Sequence, residues 1–379
     1  MANDSYFRTV QFKDIVGQLA VKNKLVTGVR EGRIPHAQLF LGPEGSGNLP
    51  LALAYAQYIA CTAKTETDSC GACANCVKYS KIIHPDLHFT VPTVGSKEIS
   101  DNFMEEWRET FLKNPYLDVF DWLMALEAEN KQGNITVDEC RNIIKKLSLK
   151  SFEGDFKVLI MWMPEYLGKE GNALLKLIEE PPQKTLFLLV AHNDEHILGT
   201  IRSRTQLVKI PALPQEEIEK ALVERYGADV QTARAAAFLG DGSLNLAVKM
   251  LSQTENNFFE SFRTWMQLCF RNDMINVLKW IDDSSSMGRE ILKHFLAYGL
   301  HIFRECLAIR YGGGKMVKLT DKEREFAEKF SAFLTPATME KVTDAFNQAI
   351  YHTERNANAK ITLINLSLLL KNNLAARAG

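Results

Sequence analysis

Leu39-Phe40-Leu41-Gly42-Pro43-Glu44-Gly45-Ser46-Gly47-Asn48-Leu49-Pro50-Leu51-Ala52 decides how this chain is read. The apolar run ending at Gly42 predicts a buried strand, Gly42 to Gly47 a tight glycine-rich turn, and Leu51 onward a helix. Strand, glycine turn and helix in that order form the frame of a phosphate-cradling loop. In such a loop backbone N–H groups close on the phosphates, a Lys reaches the outer ones and a Ser or Thr hydroxyl holds Mg²⁺. Here Asn48 stands at the lysine position, Leu49 at the hydroxyl position, and Pro50 removes an N–H from the first helical turn. The missing Lys alone forfeits a charge-assisted bond of about 1.5–3 kcal/mol. Gly42, Gly45, Gly47, Asn48 and Leu49 therefore read as a vestigial phosphate loop that binds no ATP productively. A chance glycine-rich turn is the bland alternative.

The flanking segments supply the expected context. Phe12-Lys13-Asp14-Ile15-Val16-Gly17-Gln18 precedes a helical pattern (Ala20, Leu25, Val29) that closes at Gly32, and Arg33-Ile34-Pro35-His36-Ala37 leads into the strand. After the loop, Ala52, Tyr55, Ala56, Ile59 and Ala60 recur at helical spacing and predict one buried face. Further on, Lys157-Val158-Leu159-Ile160-Met161 reads as a central parallel strand. An ATPase would follow it with an Asp-Glu pair, one carboxylate for Mg²⁺ and one to orient the attacking water. This chain has Trp162-Met163-Pro164-Glu165, with Glu165 beyond the strand end. Leu167, Gly171, Leu174 and Ile178 predict a helix face stopped by Glu179-Glu180-Pro181-Pro182, and Leu186 to Val190 another buried strand.

Cys61 and Cys70-Gly71-Ala72-Cys73-Ala74-Asn75-Cys76 place four thiols in one short stretch. Overlapping C-x-x-C steps plus a fourth thiol suit tetrahedral Zn²⁺, and such a closed site is structural, with no open position for catalysis. Redox exchange is the competing reading. His84 and His88 read as turn or packing residues, because four thiolates already complete a zinc site. From Glu98 to Glu129 nine acidic residues face only Arg108 and Lys113, interleaved with Phe103, Trp107, Phe111, Tyr116, Phe120 and Trp122. Two short amphipathic helices split near Asn114-Pro115 explain the pattern, either as a surface insertion with a solvated acidic face or as a partner-docking element. The acidity argues against direct DNA binding there.

Composition bounds the remaining classes. A chain of 379 residues, 46% hydrophobic, suffices for two or three domains. Lys+Arg 45 against Asp+Glu 46 gives no global attraction to nucleic acid or anionic lipid. Met1-Ala2-Asn3-Asp4-Ser5 shows no basic n-region and no apolar run reaches membrane-spanning length, so no membrane association and a cytoplasmic location are expected. Beyond Leu251, Phe258, Phe262, Trp265, Met266 and Cys269 recur at helical spacing, and Ile361 to Leu370 reads as a strongly apolar last helix. An all-helical bundle is expected from about residue 255 to 378, with Gly312-Gly313-Gly314 as a plain loop.

In order, Val16-Gly17-Gln18, Pro35-His36-Ala37, Gly42 to Gly47, the cysteine set, Asn172-Ala173-Leu174-Leu175-Lys176, Glu179-Glu180-Pro181-Pro182 and Arg202-Ser203-Arg204 resemble the AAA+ subunits of the bacterial DNA polymerase III clamp loader. The resemblance covers roughly the first 250 residues. Two subunit types of that assembly carry the zinc module, the ATP-hydrolysing gamma/tau type and the non-hydrolysing delta-prime type. The vacant Lys, hydroxyl and carboxylate positions make this chain similar to delta-prime; a gamma/tau-type motor with a divergent site is the alternative. A zinc-bearing nucleic-acid module without such partners is a more distant one.

The resemblance implies an α/β fold: an AAA+ parallel-sheet, P-loop-type domain (1–208) with the zinc module at 61–76 and the acidic insertion at about 93–133. A small helical lid (209–252) and an all-helical collar domain (253–379) would follow. It implies a hetero-oligomer with gamma/tau and delta subunits that acts on a sliding clamp and, through the complex, on primed DNA. It also implies a use for Arg204: an arginine finger entering the neighbouring subunit's ATP site to stabilise charge on the transferred phosphoryl group. Thr205 replaces the family's Cys, and a domain-bridging salt bridge is the alternative role for Arg204. Asn245 stands where hydrolysing relatives carry a second sensing Arg, and the acidic insertion is longer than the family pattern.

Overall fold

The structure, a computed structural model, describes residues 10–128, 131–254, 258–285, 289–311, 319, 321–355 and 357–374. The chain divides into two compact units, Met1–Tyr226 with Gly240–Leu246, and Gly227–Leu239 with Ala247–Gly379.

In the first unit the apolar runs form strands β1 (Ala37–Leu41), β2 (Leu87–Thr90), β3 (Lys157–Trp162), β4 (Thr185–Ala191) and β5 (Gln206–Lys209). Every pairing is parallel, in the order β2-β3-β4-β1-β5, with Leu39 opposite Leu189 on one side and Leu207 on the other. Strands β1 to β4 are buried on both faces because alternate residues serve two cores, while edge strand β5 buries only Val208. Phe40, Val158, Ile160, Trp162 and Leu188 pack on one side against helix α2 (Asn48–Ala60). Leu39, Leu159, Met161 and Leu189 pack on the other with Cys140, Ile143, Leu174, Ile178 and Ile201. This is the expected α/β class, a parallel sheet between two layers of helices. The loop after β1 lies at the carboxyl ends of the strands, beside the end of β4, where such sheets bind ligands; its Gly42 N–H donates to Ala191 O at 3.3 Å.

The remaining helices of this unit are α1 (Leu19–Arg30), α3 (Ala74–Ser80), α4 (Met104–Lys113), α5 (Val119–Ala125), α6 (Val137–Ser148), α7 (Leu175–Glu179), α8 (Gly199–Arg202) and α9 (Gln215–Tyr226). Two differ from expectation. Helix α2 is buried on all sides from Asn48 to Ile59 and not on one face, because Tyr79 of α3 and Phe111 of α4 join the core around it. The face Leu167-Gly171-Leu174-Ile178 is buried as expected, but most of it is a 3₁₀ segment, Pro164–Leu174, kinked at Gly168 (φ 52°) before α7 begins. Gly171 keeps that segment tight against the next: a Cβ there would stand 2.9 Å from Ile201 and 3.1 Å from Leu198.

The second unit is helical throughout its described residues, with α10 (Val230–Leu239), α12 (Phe258–Phe270), α13 (Met274–Ser284), α14 (Arg289–Tyr311), α15 (Asp321–Ser331), α16 (Pro336–Glu354) and α17 (Ala359–Leu374); α11 (Leu244–Thr254) begins in the first unit. The stripe read from the sequence forms its core: Trp265 stacks on Trp280 at 4.8 Å and donates its indole N–H to Ser367 Oγ at 2.9 Å. Residues 312–314 lie outside the described residues. Among the described residues no helix is long and apolar enough to cross a membrane.

Candidate functional site: a filled nucleotide loop and an uncovered arginine

Gly45 and Gly47 take left-handed backbone (φ 72° and 94°), which turns the chain from β1 into α2. Asn48, at the lysine position, is 2% exposed. Its Nδ2 donates to Gly42 O at 2.7 Å and to Ala191 O at 3.1 Å, and its Oδ1 accepts from Ser46 Oγ at 2.7 Å. The amide therefore ties the loop down onto the sheet, where a lysine would reach out of it.

The mouth of the loop is closed from two directions. Leu244 N–H donates to Gly45 O at 3.0 Å, and a Cβ on Gly45 would overlap Ser243. From the acidic insertion, Tyr116 lies over the turn, and a Cβ on Gly47 would stand 3.1 Å from its ring. The Tyr116 hydroxyl accepts the Val16 N–H at 2.8 Å. Gln18 Nε2 donates to Ser46 O at 3.1 Å and Pro211 O at 2.7 Å. The space left among Gly45, Asn48, Tyr116, Trp162 and His192 is about 10 Å³, room for one water, whereas sites for small ligands span about 300–1,000 Å³.

The insertion is thus neither a detached surface feature nor a free docking arm. Helices α4 and α5 are the two amphipathic pieces expected, but Trp107, Phe111 and Trp122 are fully buried and the Trp107 ring meets Trp122 and Trp162, each at 5.2 Å. Asn245, which is buried, locks the turn between them. It accepts from Asn114 Nδ2 at 2.7 Å and donates to Asp118 Oδ2 at 3.0 Å and Asp121 Oδ2 at 2.9 Å.

At the end of β3, Trp162 is buried where a magnesium-binding carboxylate would stand. Glu165 turns back to accept the N–H groups of His192 (2.6 Å) and Asn193 (3.0 Å), closing the end of β4; burial pushes its carboxyl up. Burial also pushes the His192 imidazole down to about 4, so it is neutral beside Glu44.

Arg204 lies past the end of α8, on the rim of the same unit. Its Nε pairs with Glu179, and Nη1 donates to Thr200 O at 2.9 Å and weakly to Ser203 Oγ at 3.4 Å. The side chain is 35% exposed. The sequence reading missed Tyr116, Ser243 and Glu179. The first two lie far along the chain from the loop, and only the Glu-Glu-Pro-Pro run pointed at the third.

Cys61, Cys70, Cys73 and Cys76 converge with all Sγ atoms within 4.8 Å of one another, the only such cluster among the described residues. Cys70 and Cys76 stand 3.9 Å apart, Cys73 and Cys61 4.0 Å, against about 3.8 Å for thiolates 2.3 Å from a tetrahedral zinc. The N–H groups of Ala72 and Cys73 hold the Cys70 thiol below its usual range, while burial pushes the Cys61 and Cys76 thiols up. The donor set fits Zn²⁺. The histidines stay apart from it: the His84 ring lies tilted against Tyr79 at 4.8 Å and accepts the Asp86 N–H, and burial pushes His88 down to about 4.

A family model described as DNA polymerase III, delta subunit, matches residues 17–214, a little over half of the 379-residue chain. The DNA polymerase III subunit gamma/tau of Mycobacterium tuberculosis is 27% identical over 220 residues, 58% of this chain and 32% of that protein. Subunit tau of Escherichia coli is 27% identical over 253 residues, 65% of this chain and 33% of that protein. The chain spans about a third of the length of these curated relatives. A gamma subunit-related protein from Thermotoga maritima superposes with a TM-score of 0.43 at 14% identity, over 94% of this chain and 99% of that one.

Proposed function

Because the chain belongs to the DNA polymerase III delta-subunit family, we propose that it works as a delta-prime-like clamp-loader subunit. It hydrolyses no ATP and supplies Arg204 in trans to a neighbouring ATPase subunit. One observation carries the reading: the phosphate loop is filled by the protein's own Tyr116, Ser243 and Asn48, while Arg204 stays on the surface. Two terms are lost together, the charge that would hold a triphosphate and the volume that would admit it. What remains is a guanidinium suited to a phosphate outside the chain.

In this reading the partners are gamma/tau and delta subunits, a sliding clamp and primed DNA, and the helical second unit contributes the collar. The division into nucleotide-site-like domain, lid and collar belongs to the same proposal. Zinc on Cys61, Cys70, Cys73 and Cys76 has a structural role: it would join the end of α2 to the start of α3 where they flank the core.

The relatives carry gamma/tau names, and that favours a second reading, a hydrolysing motor with a divergent site. One reconstitution separates the two. Arg204→Ala is expected to leave assembly intact and cut the complex's ATPase rate by about 10³-fold or more, while the purified chain alone turns over no ATP. An unchanged rate in the complex, or turnover by the chain alone, overturns the proposal.

A further inference from the structure

An arginine that acts across a subunit boundary needs more than exposure. Its long side chain samples many rotamers, and an electrostatic catalyst works only if it is already aimed when charge develops. The structure holds Arg204 at two nitrogens while leaving the third free. Nε is paired with the Glu179 carboxylate and Nη1 with the Thr200 carbonyl at 2.9 Å, whereas Nη2 has no partner among the described residues. Nη2 is the nitrogen left to donate to a phosphate oxygen as a charge-assisted hydrogen bond.

Both holding groups are rigidly mounted. Glu179 is the last residue of α7, and the two prolines that follow Glu180 prevent the helix from continuing. One residue earlier, Ile178 is 1% exposed in the same core layer as Ile201 of α8. The carboxylate and the segment carrying Thr200 and Arg204 are therefore fixed to one piece of core. A half-exposed ion pair adds little stability, so what this pair supplies is aim.

We propose that Glu179 is the positioning residue for Arg204: it fixes the Nε side of the guanidinium and presents Nη2 to a phosphate of the adjoining subunit's nucleotide. This assignment rests on the trans reading above. It gives the Glu179-Glu180-Pro181-Pro182 run a role, with the carboxylate as holder and the prolines setting the helix end.

The test uses the full chain assembled with its partner ATPase subunits, comparing Arg204→Ala, Glu179→Gln, Glu179→Asp and Glu180→Gln, each first checked for an unchanged unfolding midpoint. Glu179→Gln is expected to lower kcat about tenfold with KM for ATP unchanged, the signature of lost aim without lost binding. Glu179→Asp restores most of the rate, and Glu180→Gln, which removes the neighbouring charge, leaves it as it was. On the free chain, NMR of the Arg204 Nε–H should show an ordered, slowly exchanging group that becomes mobile in Glu179→Gln.

A strong Arg204→Ala effect beside a wild-type rate for Glu179→Gln overturns the positioning role and leaves the trans reading standing. A faster Glu179→Gln complex also overturns it, since the pair would then be a restraint. No effect of Arg204→Ala removes both.

Discussion

Asn48 and Arg204 lie in the same compact unit and have opposite surroundings. Asn48 is 2% exposed and uses both ends of its amide on Gly42, Ala191 and Ser46. Arg204 keeps 35% of its side-chain surface, and its Nη2 has no partner among the described residues. The difference follows from what each position faces. A pocket that no longer holds a ligand leaves buried backbone groups without partners, each costing about 1–3 kcal/mol, so filling it stabilises the fold. No such pressure acts on a residue at the rim. In the proposed reading, the closed loop is the part of the site that would have served the chain itself and the rim arginine the part that serves a neighbour.

The sharpest way to break this contrast is to restore the lost lysine. Asn48→Lys would put an ammonium where the amide now meets two carbonyls and a hydroxyl, with no carboxylate among those contacts. The expected cost is about 3 kcal/mol or more in chemical denaturation, the scale of an uncompensated buried charge. ATP affinity should not appear even at millimolar nucleotide, because Tyr116 and Ser243 still occupy the mouth. A stable variant that binds ATP would mean that the filling moves aside easily, and the contrast would lose its basis.

A smaller effect comes from His192, at the closed end. Burial holds its imidazole at about 4, against about 6.5 in the unfolded chain. Below 6.5 the unfolded chain takes up a proton that the folded one refuses. The stability this neutral ring contributes is therefore complete above pH 6.5 and lost as pH falls towards 4, on the order of 1–3 kcal/mol. Subtracting the stability-versus-pH curve of His192→Gln from that of wild type should show this loss; parallel curves would mean that water reaches the ring and the loop is not sealed.

Much of this could be read along the chain because it is written locally. Strand, turn and helix around Gly42–Gly47, the absent Lys and hydroxyl, the four thiols and the two helices either side of Asn114-Pro115 are all short-range patterns. The filling could not. Tyr116 meets Val16 across 100 residues and Asn245 meets Asn114 across 131, and no periodicity encodes such pairs. The acidic count pulled the reading of 98–129 towards solvent, yet the tryptophans and phenylalanines on the opposite faces decided where those helices went. Likewise Leu167, Gly171, Leu174 and Ile178 mark a true buried face, but Gly168 at φ 52° makes it a kinked 3₁₀ segment. One glycine's backbone freedom outweighs a regular hydrophobic spacing there.

The finest test concerns how the insertion is held. Asn245 makes three side-chain hydrogen bonds to it, two of them to the carboxylates of Asp118 and Asp121, while those two residues also cap α5 through each other's backbone N–H groups. Asn245→Ala removes the three bonds and leaves the capping box. Bonds to charged acceptors are worth about 1.5–3 kcal/mol each when buried, but water can reach this partly buried turn, so a total loss of about 1–2 kcal/mol is expected. The ATPase rate of the assembled complex should not change, since nothing at Arg204 depends on this residue. If the rate falls together with stability, the two regions are coupled, and the closed loop would be part of how the arginine is delivered.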